Sequence, residues 1–159
     1  MKKIVFIDLD DTIADFQGSA KFKDGFNVVH MYEPGFFKDL PVIPGALVAV
    51  RAIMRMGYDV HILTQPLAES AHSYSEKVQW VALHFPDLIN KISMTQDKGL
   101  FKGDYLIDDN ALKWKEKFEA NGGKFIFFKN PLLSNGPMPD MEKQWKDIVK
   151  FFEEESKDE

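Results

Sequence analysis

The chain has 159 residues, 45% of them apolar and fourteen of them Phe, which suits one domain with a substantial core and argues against extended disorder. Its formal charge of −5 argues against a nucleic-acid polymer as the main partner, and the absence of Cys excludes disulfides and thiolate metal sites. No apolar stretch approaches the roughly 20 residues that span a bilayer, and the opening MKKIVFIDLDD lacks the apolar run of a signal peptide, so we expect a cytoplasmic protein without a membrane segment.

The first third of the chain predicts a buried strand, an insertion and a helix. Lys3 to Leu9 (KIVFIDL) is a continuous apolar run, the pattern of a parallel strand buried on both faces. Residues 11–40 hold scattered Phe, Gly and Lys without a clear period and predict a loop-and-helix insertion. Pro44 suits the first turn of a helix that runs to about Met56, and Gly57 suits the end of that helix.

The rest of the chain predicts strands that alternate with helices. The strands are short apolar runs at Tyr58–Leu63, Lys91–Met94, Tyr105–Ile107 and Lys124–Phe128. Ser73 and Glu76 have the spacing of a capping box for the helix between the second and third strands. Asn110 is placed to cap the helix after the fourth strand, which Gly122 and Gly123 would close.

The C-terminal part predicts a loop, a helix and a tail. The segment 130–140 has three Pro and a Gly and predicts a loop, and a last helix is expected from about Met141. Residues 153–159 (EEESKDE) predict a solvated acidic tail. Strands that alternate with helices indicate the α/β class, with a doubly wound, mainly parallel sheet.

Polar side chains follow four of the predicted strands, at the edge where open α/β sheets hold their ligands. They are Asp8 and Asp10 after the first strand, Thr64 after the second, Lys98 beyond the third, and Asp108 with Asp109 after the fourth. Because the carboxyl ends of parallel strands meet at one edge, these side chains are expected to share one site.

These residue types suit phosphoryl transfer. A carboxylate such as Asp8 can attack phosphorus and form an aspartyl-phosphate. Asp10 can then protonate the leaving oxygen and later deprotonate the attacking water. Mg²⁺ takes oxygen ligands, which Asp8 and Asp108 could supply, while Lys98 and the Thr64 hydroxyl can hold phosphoryl oxygens. The pattern predicts a magnesium-dependent phosphatase acting on a small phosphate ester.

The chain resembles the haloacid dehalogenase-type phosphatases. The resemblance lies in four motifs, which are Asp8-Leu9-Asp10-Asp11-Thr12, Thr64 after an apolar strand, Lys98, and Asp108-Asp109. It implies a haloacid dehalogenase-like Rossmannoid core with a short helical cap inserted after the first strand. A single domain over residues 1–152 is therefore expected, with residues 16–40 as the cap and 153–159 as the tail.

A narrower resemblance is to the 5′(3′)-deoxyribonucleotidases. It lies in IADF at 13–16, FFKDLPVIPGA at 36–46, EKVQW at 76–80, TQDK at 95–98 and LIDDN at 106–110. The resemblance implies a nucleoside monophosphate substrate, with Asp8 as nucleophile and Asp10 as acid and base. It also implies metal ligation by Asp8, by Asp108 and by the main-chain carbonyl of Asp10, with Asp109 in a supporting role.

The same resemblance implies two sets of substrate contacts. Those to phosphate are Thr64, Gln65, Lys77 and Lys98, and those to the rest of the substrate are Phe16, Phe36, Phe37 and Gln96. Gln65 stands where these enzymes usually have Ser, and Gln96 stands where they often have Arg. The insertion between Phe16 and Phe36 is also shorter than in the mammalian members.

Several alternatives stay open at the level of sequence. Lys77 on a helix could be a solvated lysine, and the three Phe could be core residues. The substrate could be a sugar phosphate or another small metabolite. A non-enzymatic receiver-like phospho-switch uses similar residues, but the chain order here, with Asp8-x-Asp10 first and the Asp108-Asp109 pair last, is the reverse of that class. The base, the 5′ or 3′ position of the phosphate, and homodimerisation are undetermined.

Overall fold

Five parallel strands form the centre of the molecule, whose computed structural model describes residues 1–19, 25, 27–130, 137 and 139–157. The strands are β1 (Ile4–Ile7), β2 (Asp59–Thr64), β3 (Ile92–Met94), β4 (Tyr105–Asp108) and β5 (Lys124–Phe127). Their order is β3-β2-β1-β4-β5, and every pairing is parallel. The chain runs outward from β1 on one side and returns to β4 on the other, so the order reverses between β1 and β4.

Helices connect the strands, which confirms the predicted doubly wound α/β class. They are α1 (Ala46–Arg55), α2 (Ala71–His84), α3 (Ala111–Glu119) and α4 (Met141–Glu155), with short 3₁₀ helices at Val28–Tyr32, Pro86–Leu88 and Lys98–Leu100. Among the described residues, no helix is long and apolar enough to cross a membrane.

Alternate residues of β1 enter two separate apolar clusters, as expected for a strand buried on both faces. Val5 and Ile7 belong to the larger cluster, which also takes in buried residues of α1, α2 and α4. Phe6 belongs to a smaller cluster with Trp114 and Phe118 of α3. The sheet is thus held between two apolar layers, which fixes the position of its carboxyl-terminal edge.

Three local predictions about helix ends are wrong. Helix α1 begins at Ala46, after a Gly45 with φ of +85° at the N-cap, so Pro44 lies ahead of the first turn. A Cβ on Gly45 would come within 3.2–3.4 Å of Glu142 and Trp145, so the glycine allows α4 to approach closely. Gly57, by contrast, ends α1 as predicted, with φ of +98°.

The predicted capping box is the second of these errors. Helix α2 begins earlier, because the Ser70 side chain caps it by accepting the Ser73 backbone N–H at 3.2 Å. The Ser73 hydroxyl instead accepts the backbone N–H of Leu67 at 2.9 Å. Glu76 therefore takes no part in capping α2, and it is buried, with 4% of its surface exposed.

The third error concerns the acidic tail, which was expected from residue 153. Helix α4 continues to Glu155, and the Glu155 carboxylate accepts the Tyr105 hydroxyl at 2.6 Å. This bond ties the last turn of α4 to β4. Residues 158 and 159 of the predicted tail, and most of the predicted loop 130–140, lie outside the described residues.

The insertion after β1 is fastened at both ends. Its entry and exit run side by side, since the Asp15 N–H donates to the Pro41 carbonyl at 2.7 Å and the Ile43 N–H donates to the Ile13 carbonyl at 2.9 Å. Near its end, the Glu76 carboxylate accepts backbone N–H groups of Gly35, Phe37 and Lys38. Residues 20–24 and 26 lie outside the described residues, and the assignment of 16–40 as a cap stays a prediction.

Candidate active site

A polar cavity of about 210 Å³ opens at the carboxyl-terminal edge of the sheet, beside the point where the strand order reverses. Open α/β sheets bind their ligands at this kind of position. The cavity is lined by Asp8, Asp10, Asp11, Phe16, Gln65, Lys98, Asp108, Asp109, Asn110 and Trp114. Seven of these ten residues were among the predicted site residues, and Asp11, Asn110 and Trp114 were not.

At the centre of the cavity Lys98 bridges two carboxylates. Its Nζ lies 2.5 Å from Asp8 Oδ1 and 2.6 Å from Asp108 Oδ2, and all three side chains are buried. Burial alone lowers the pKa of Lys98, but the attraction of Asp8 and Asp108 outweighs it and raises the pKa above the ordinary value. Lys98 is therefore a fixed positive charge, and it is the 3₁₀ turn after β3 that carries it into the site.

A second ion pair joins Asp10 to the helix α2. Lys77 Nζ donates to Asp10 Oδ2 and lies 4.5 Å from the centre of the Phe37 ring. Lys77 is 1% exposed, so it is not a solvated helix lysine. Burial raises the pKa of Asp10, and Lys77 opposes that rise. Asp10 Oδ1 is buried and has no hydrogen-bond partner in the described part of the chain.

Thr64 ends β2 with a hydroxyl that is also buried and without a hydrogen-bond partner among the described residues. An unsatisfied buried hydroxyl is costly, so such a group commonly marks the place of a ligand or a water molecule. Together with Asp10 Oδ1, Thr64 Oγ1 provides two polar atoms with unused bonding capacity at strand ends that face the same edge.

The rim of the cavity carries a chain of polar contacts that includes both predicted Gln residues. Gln65 Nε2 donates to Gln96 Oε1 at 2.9 Å, and Gln96 Nε2 donates to the Pro66 carbonyl at 2.9 Å. Lys113 Nζ donates to Gln65 Oε1 at 2.6 Å and lies 4.6 Å from the centre of the Trp114 ring. Lys113 thus adds a cation at the rim that was not predicted.

Asp109 belongs to a second network, in which Asn130 joins it to Asp11. Asn130 Nδ2 donates to Asp109 Oδ2 at 2.7 Å and to Asp11 Oδ2 at 3.2 Å, and Gln17 also bonds to Asp11. Burial raises the pKa of Asp109 to about 9, and Asp8 and Asp108 add to the rise. Burial likewise raises the pKa of Asp11 to about 6.

The carboxylates fit a divalent cation. Asp8, Asp108 and Asp109 each offer an oxygen, and these three oxygens lie within 4.8 Å of one another. Burial, with the Asp8 charge adding to it, raises the pKa of Asp108 to about 6, although Lys98 opposes the rise. Hard divalent cations take such oxygen ligands. Asp109, predicted as supporting, is thus a candidate ligand, whereas the Asp10 side chain faces Lys77.

The three predicted aromatic contacts form one cluster, but they differ in position. Phe36 lies 5.2 Å from Phe16 and 5.0 Å from Phe37 between ring centres. Phe16 is partly buried and lines the cavity. Phe36 and Phe37 are 3% and 2% exposed and belong to the core, where their rings pack against Phe16.

Several residues at or behind the site were not predicted from the sequence. They are Asp11, Gln17, Glu76 in its observed role, Lys113, Trp114 and Asn130. One signal could have identified Asn130, because it is a polar residue that comes shortly after the fifth apolar strand, whereas Asp8 comes directly after the first. Gln17 and Glu76 act through an insertion whose path has no periodic pattern in the sequence.

Comparison with known proteins agrees with this geometry. The family model for the 5′ nucleotidase, deoxy (pyrimidine), cytosolic type C protein matches residues 23–152. The human cytosolic-type 5′(3′)-deoxyribonucleotidase is 46% identical over 85 residues, covering 52% of this chain and 42% of the human protein. The chain thus spans less than half the length of this relative and of other curated relatives that it matches.

Two further matches extend over nearly the whole chain. A Staphylococcus aureus protein, provisionally named a 5′(3′)-deoxyribonucleotidase, is 29% identical over 178 residues, covering 95% of this chain and 96% of that protein. A haloacid dehalogenase-like family hydrolase from Xanthomonas campestris aligns with a TM-score of 0.58 and 16% identity, covering 98% of this chain and 93% of that structure. The latter match shows a common fold.

Proposed function

Because the chain belongs to the deoxy (pyrimidine) cytosolic type C 5′ nucleotidase family, we propose that it is a magnesium-dependent phosphatase of nucleoside monophosphates, in particular 5′(3′)-deoxyribonucleotides. The observation that carries this proposal is the buried Asp8–Lys98–Asp108 arrangement, with the unpartnered Thr64 hydroxyl at the same edge of the sheet. The cytosolic-type name of the human relative supports a cytoplasmic location as part of the same proposal.

The first chemical step uses Asp8 and Asp10. An Asp8 carboxylate oxygen attacks phosphorus, the ester bond to the nucleoside oxygen breaks, and the leaving oxygen takes a proton from Asp10. Burial raises the pKa of Asp10, which favours the protonated form that this step needs. In this proposal, Lys98 and the Thr64 hydroxyl hold phosphoryl oxygens and offset the negative charge that develops on them.

The second step returns the protein to its starting state. Asp10 takes a proton from a water molecule, the water oxygen attacks phosphorus, and the bond to Asp8 breaks to release inorganic phosphate. The contact of Lys77 Nζ with Asp10 Oδ2 supports a role for Lys77 in orienting this carboxylate. When bound by Asp8, Asp108 and Asp109, a magnesium ion supplies positive charge that lets a phosphate dianion enter a site rich in carboxylates.

A substrate panel tests the proposed specificity. Deoxyribo- and ribonucleoside 5′- and 3′-monophosphates and sugar phosphates are compared at equal concentration by phosphate release. We expect kcat/KM for the preferred deoxyribonucleotide to exceed that for any sugar phosphate by at least roughly tenfold, since Phe16, which lines the cavity, offers apolar contact to a base. Faster hydrolysis of sugar phosphates would contradict the nucleotide assignment while leaving the phosphatase assignment standing.

Chelation of divalent cations tests the metal requirement separately. We expect EDTA to stop phosphate release and an excess of magnesium to restore it, because the carboxylates of Asp8, Asp108 and Asp109 would otherwise repel the phosphate. The control is the far-UV circular dichroism of the chelated protein, which should be unchanged because Lys98 keeps two of the carboxylates paired. Undiminished activity in EDTA would exclude the proposed cation.

A further inference from the structure

Asn130 connects two carboxylates from different parts of the site. It follows β5, is 3% exposed, and lies in the segment after the one predicted strand that had not been expected to contribute to the site. Its Nδ2 donates to Asp109 Oδ2 at 2.7 Å and to Asp11 Oδ2 at 3.2 Å. Its Oδ1 accepts from Gln17 Nε2, so both ends of the amide are engaged.

These contacts restrict the rotation of the Asp109 side chain. One Asp109 oxygen is held by a buried amide that is itself fixed by Gln17, while Asp109 also supplies an oxygen within 4.8 Å of oxygens of Asp8 and Asp108. Asp8 is positioned separately, by its backbone N–H to the Ile107 carbonyl at 2.9 Å and by the Thr12 hydroxyl at 3.3 Å. Asp109 and Asp8 are thus oriented by different hydrogen-bond donors, Asn130 for Asp109 and Thr12 for Asp8.

We propose that Asn130 is a positioning residue that orients Asp109 as a ligand of the divalent cation held with Asp8 and Asp108. The proposal rests on the metal site of the proposed function, but not on the identity of the substrate. Partners that orient metal-ligating carboxylates commonly change metal affinity by about 10- to 100-fold when they are removed. Asn130 has no place in the proton or phosphoryl transfers themselves.

The test measures magnesium binding without substrate. Asn130→Leu keeps the branching at Cγ and the number of side-chain heavy atoms, and it removes both the donor and the acceptor. Isothermal titration calorimetry of the full chain with magnesium should then give a Kd raised about 10- to 100-fold. The control is Asn90→Leu. Asn90 is exposed and does not line the cavity, so its loss should leave the magnesium Kd unchanged.

Thermal unfolding separates positioning from a merely structural role. A structural role would lower the unfolding temperature of Asn130→Leu equally with and without magnesium, whereas positioning predicts that the rise in unfolding temperature caused by magnesium becomes smaller. If Asn130→Leu does not fold, Asn130→Ala takes its place in both measurements. An unchanged magnesium Kd in the folded variant would overturn the proposal.

The same titration distinguishes failure of this proposal from failure of the proposed function. If the unaltered protein binds no magnesium, the metal site is wrong and the role of Asn130 falls with it. If the unaltered protein binds magnesium, Asn130→Leu binds it more weakly, and neither hydrolyses nucleotides, then the positioning role stands and the nucleotidase assignment does not.

Discussion

Replacing Asp8 with Asn is expected to abolish phosphate release and to leave the fold intact. The amide cannot attack phosphorus as a carboxylate does, and loss of a catalytic nucleophile can lower kcat by on the order of 10⁶-fold. The fold should survive because an amide oxygen at this position can still accept from Lys98 Nζ, whose bond to Asp108 also remains. Steady-state phosphate release and thermal unfolding in EDTA measure the two effects.

The matched control for Asp8→Asn is Asp147→Asn on α4. Asp147 is exposed and does not line the cavity, so the same chemical change there should alter neither turnover nor stability. Turnover in Asp8→Asn equal to that of the unaltered protein would show that Asp8 is not the nucleophile. A variant that unfolds would say nothing of catalysis, so the EDTA unfolding curve is recorded before the kinetics are interpreted.

Lys98→Met is expected to lower both the free energy of unfolding and kcat. Removing the ammonium leaves Asp8 and Asp108 as buried carboxylates without their common partner, and breaking a buried ion pair on one side typically costs about 3–5 kcal/mol in the free energy of unfolding. Loss of a charge that stabilises the transition state should also lower kcat by roughly 10²- to 10³-fold. Urea unfolding in EDTA measures the stability, and phosphate release measures the activity.

The matched control for Lys98→Met is Lys117→Met. Lys117 Nζ pairs with Asp97 at 3.2 Å, but both side chains are largely exposed, at 53% and 41%. Surface pairs of this kind contribute about 0–1 kcal/mol, so this variant should unfold almost as the unaltered protein does. If Lys98→Met in EDTA were as stable as Lys117→Met, the bridge between Asp8 and Asp108 would not be a major stabilising contact in solution.

The sequence predicts the centre of the site because that centre depends on strand ends. Apolar runs locate β1, β2, β3 and β4, and parallel pairing then brings the residues that follow them to one edge. The structure places Asp8 and Asp108 there, each within hydrogen-bond distance of Lys98. Composition and periodicity suffice for this part, and the confirmed α/β class rests on the same patterns.

The sequence fails where the fold depends on contacts between distant, non-periodic segments. Glu76 has the spacing of a capping-box residue, but it lies buried against the backbone of Gly35 and Phe37, which come from an insertion without a pattern. Lys77 has the pattern of an ordinary helix lysine; the family resemblance alone assigned it to the site, and the packing of α2 shows that it contacts Asp10. Tertiary contacts of this kind override local signals and cannot be derived from the spacing of one chain segment.

The hydrogen bonds that close the insertion determine which part of it can vary in length. The bonds of Asp15 to Pro41 and of Ile43 to Ile13 close the insertion at its base, and Glu76 holds its returning arm at Gly35 and Phe37. Chain added or removed between these points changes the entropy of loop closure only slowly with length. The insertion could therefore change in length at a small cost in stability while Asp8 and Asp10 keep their places.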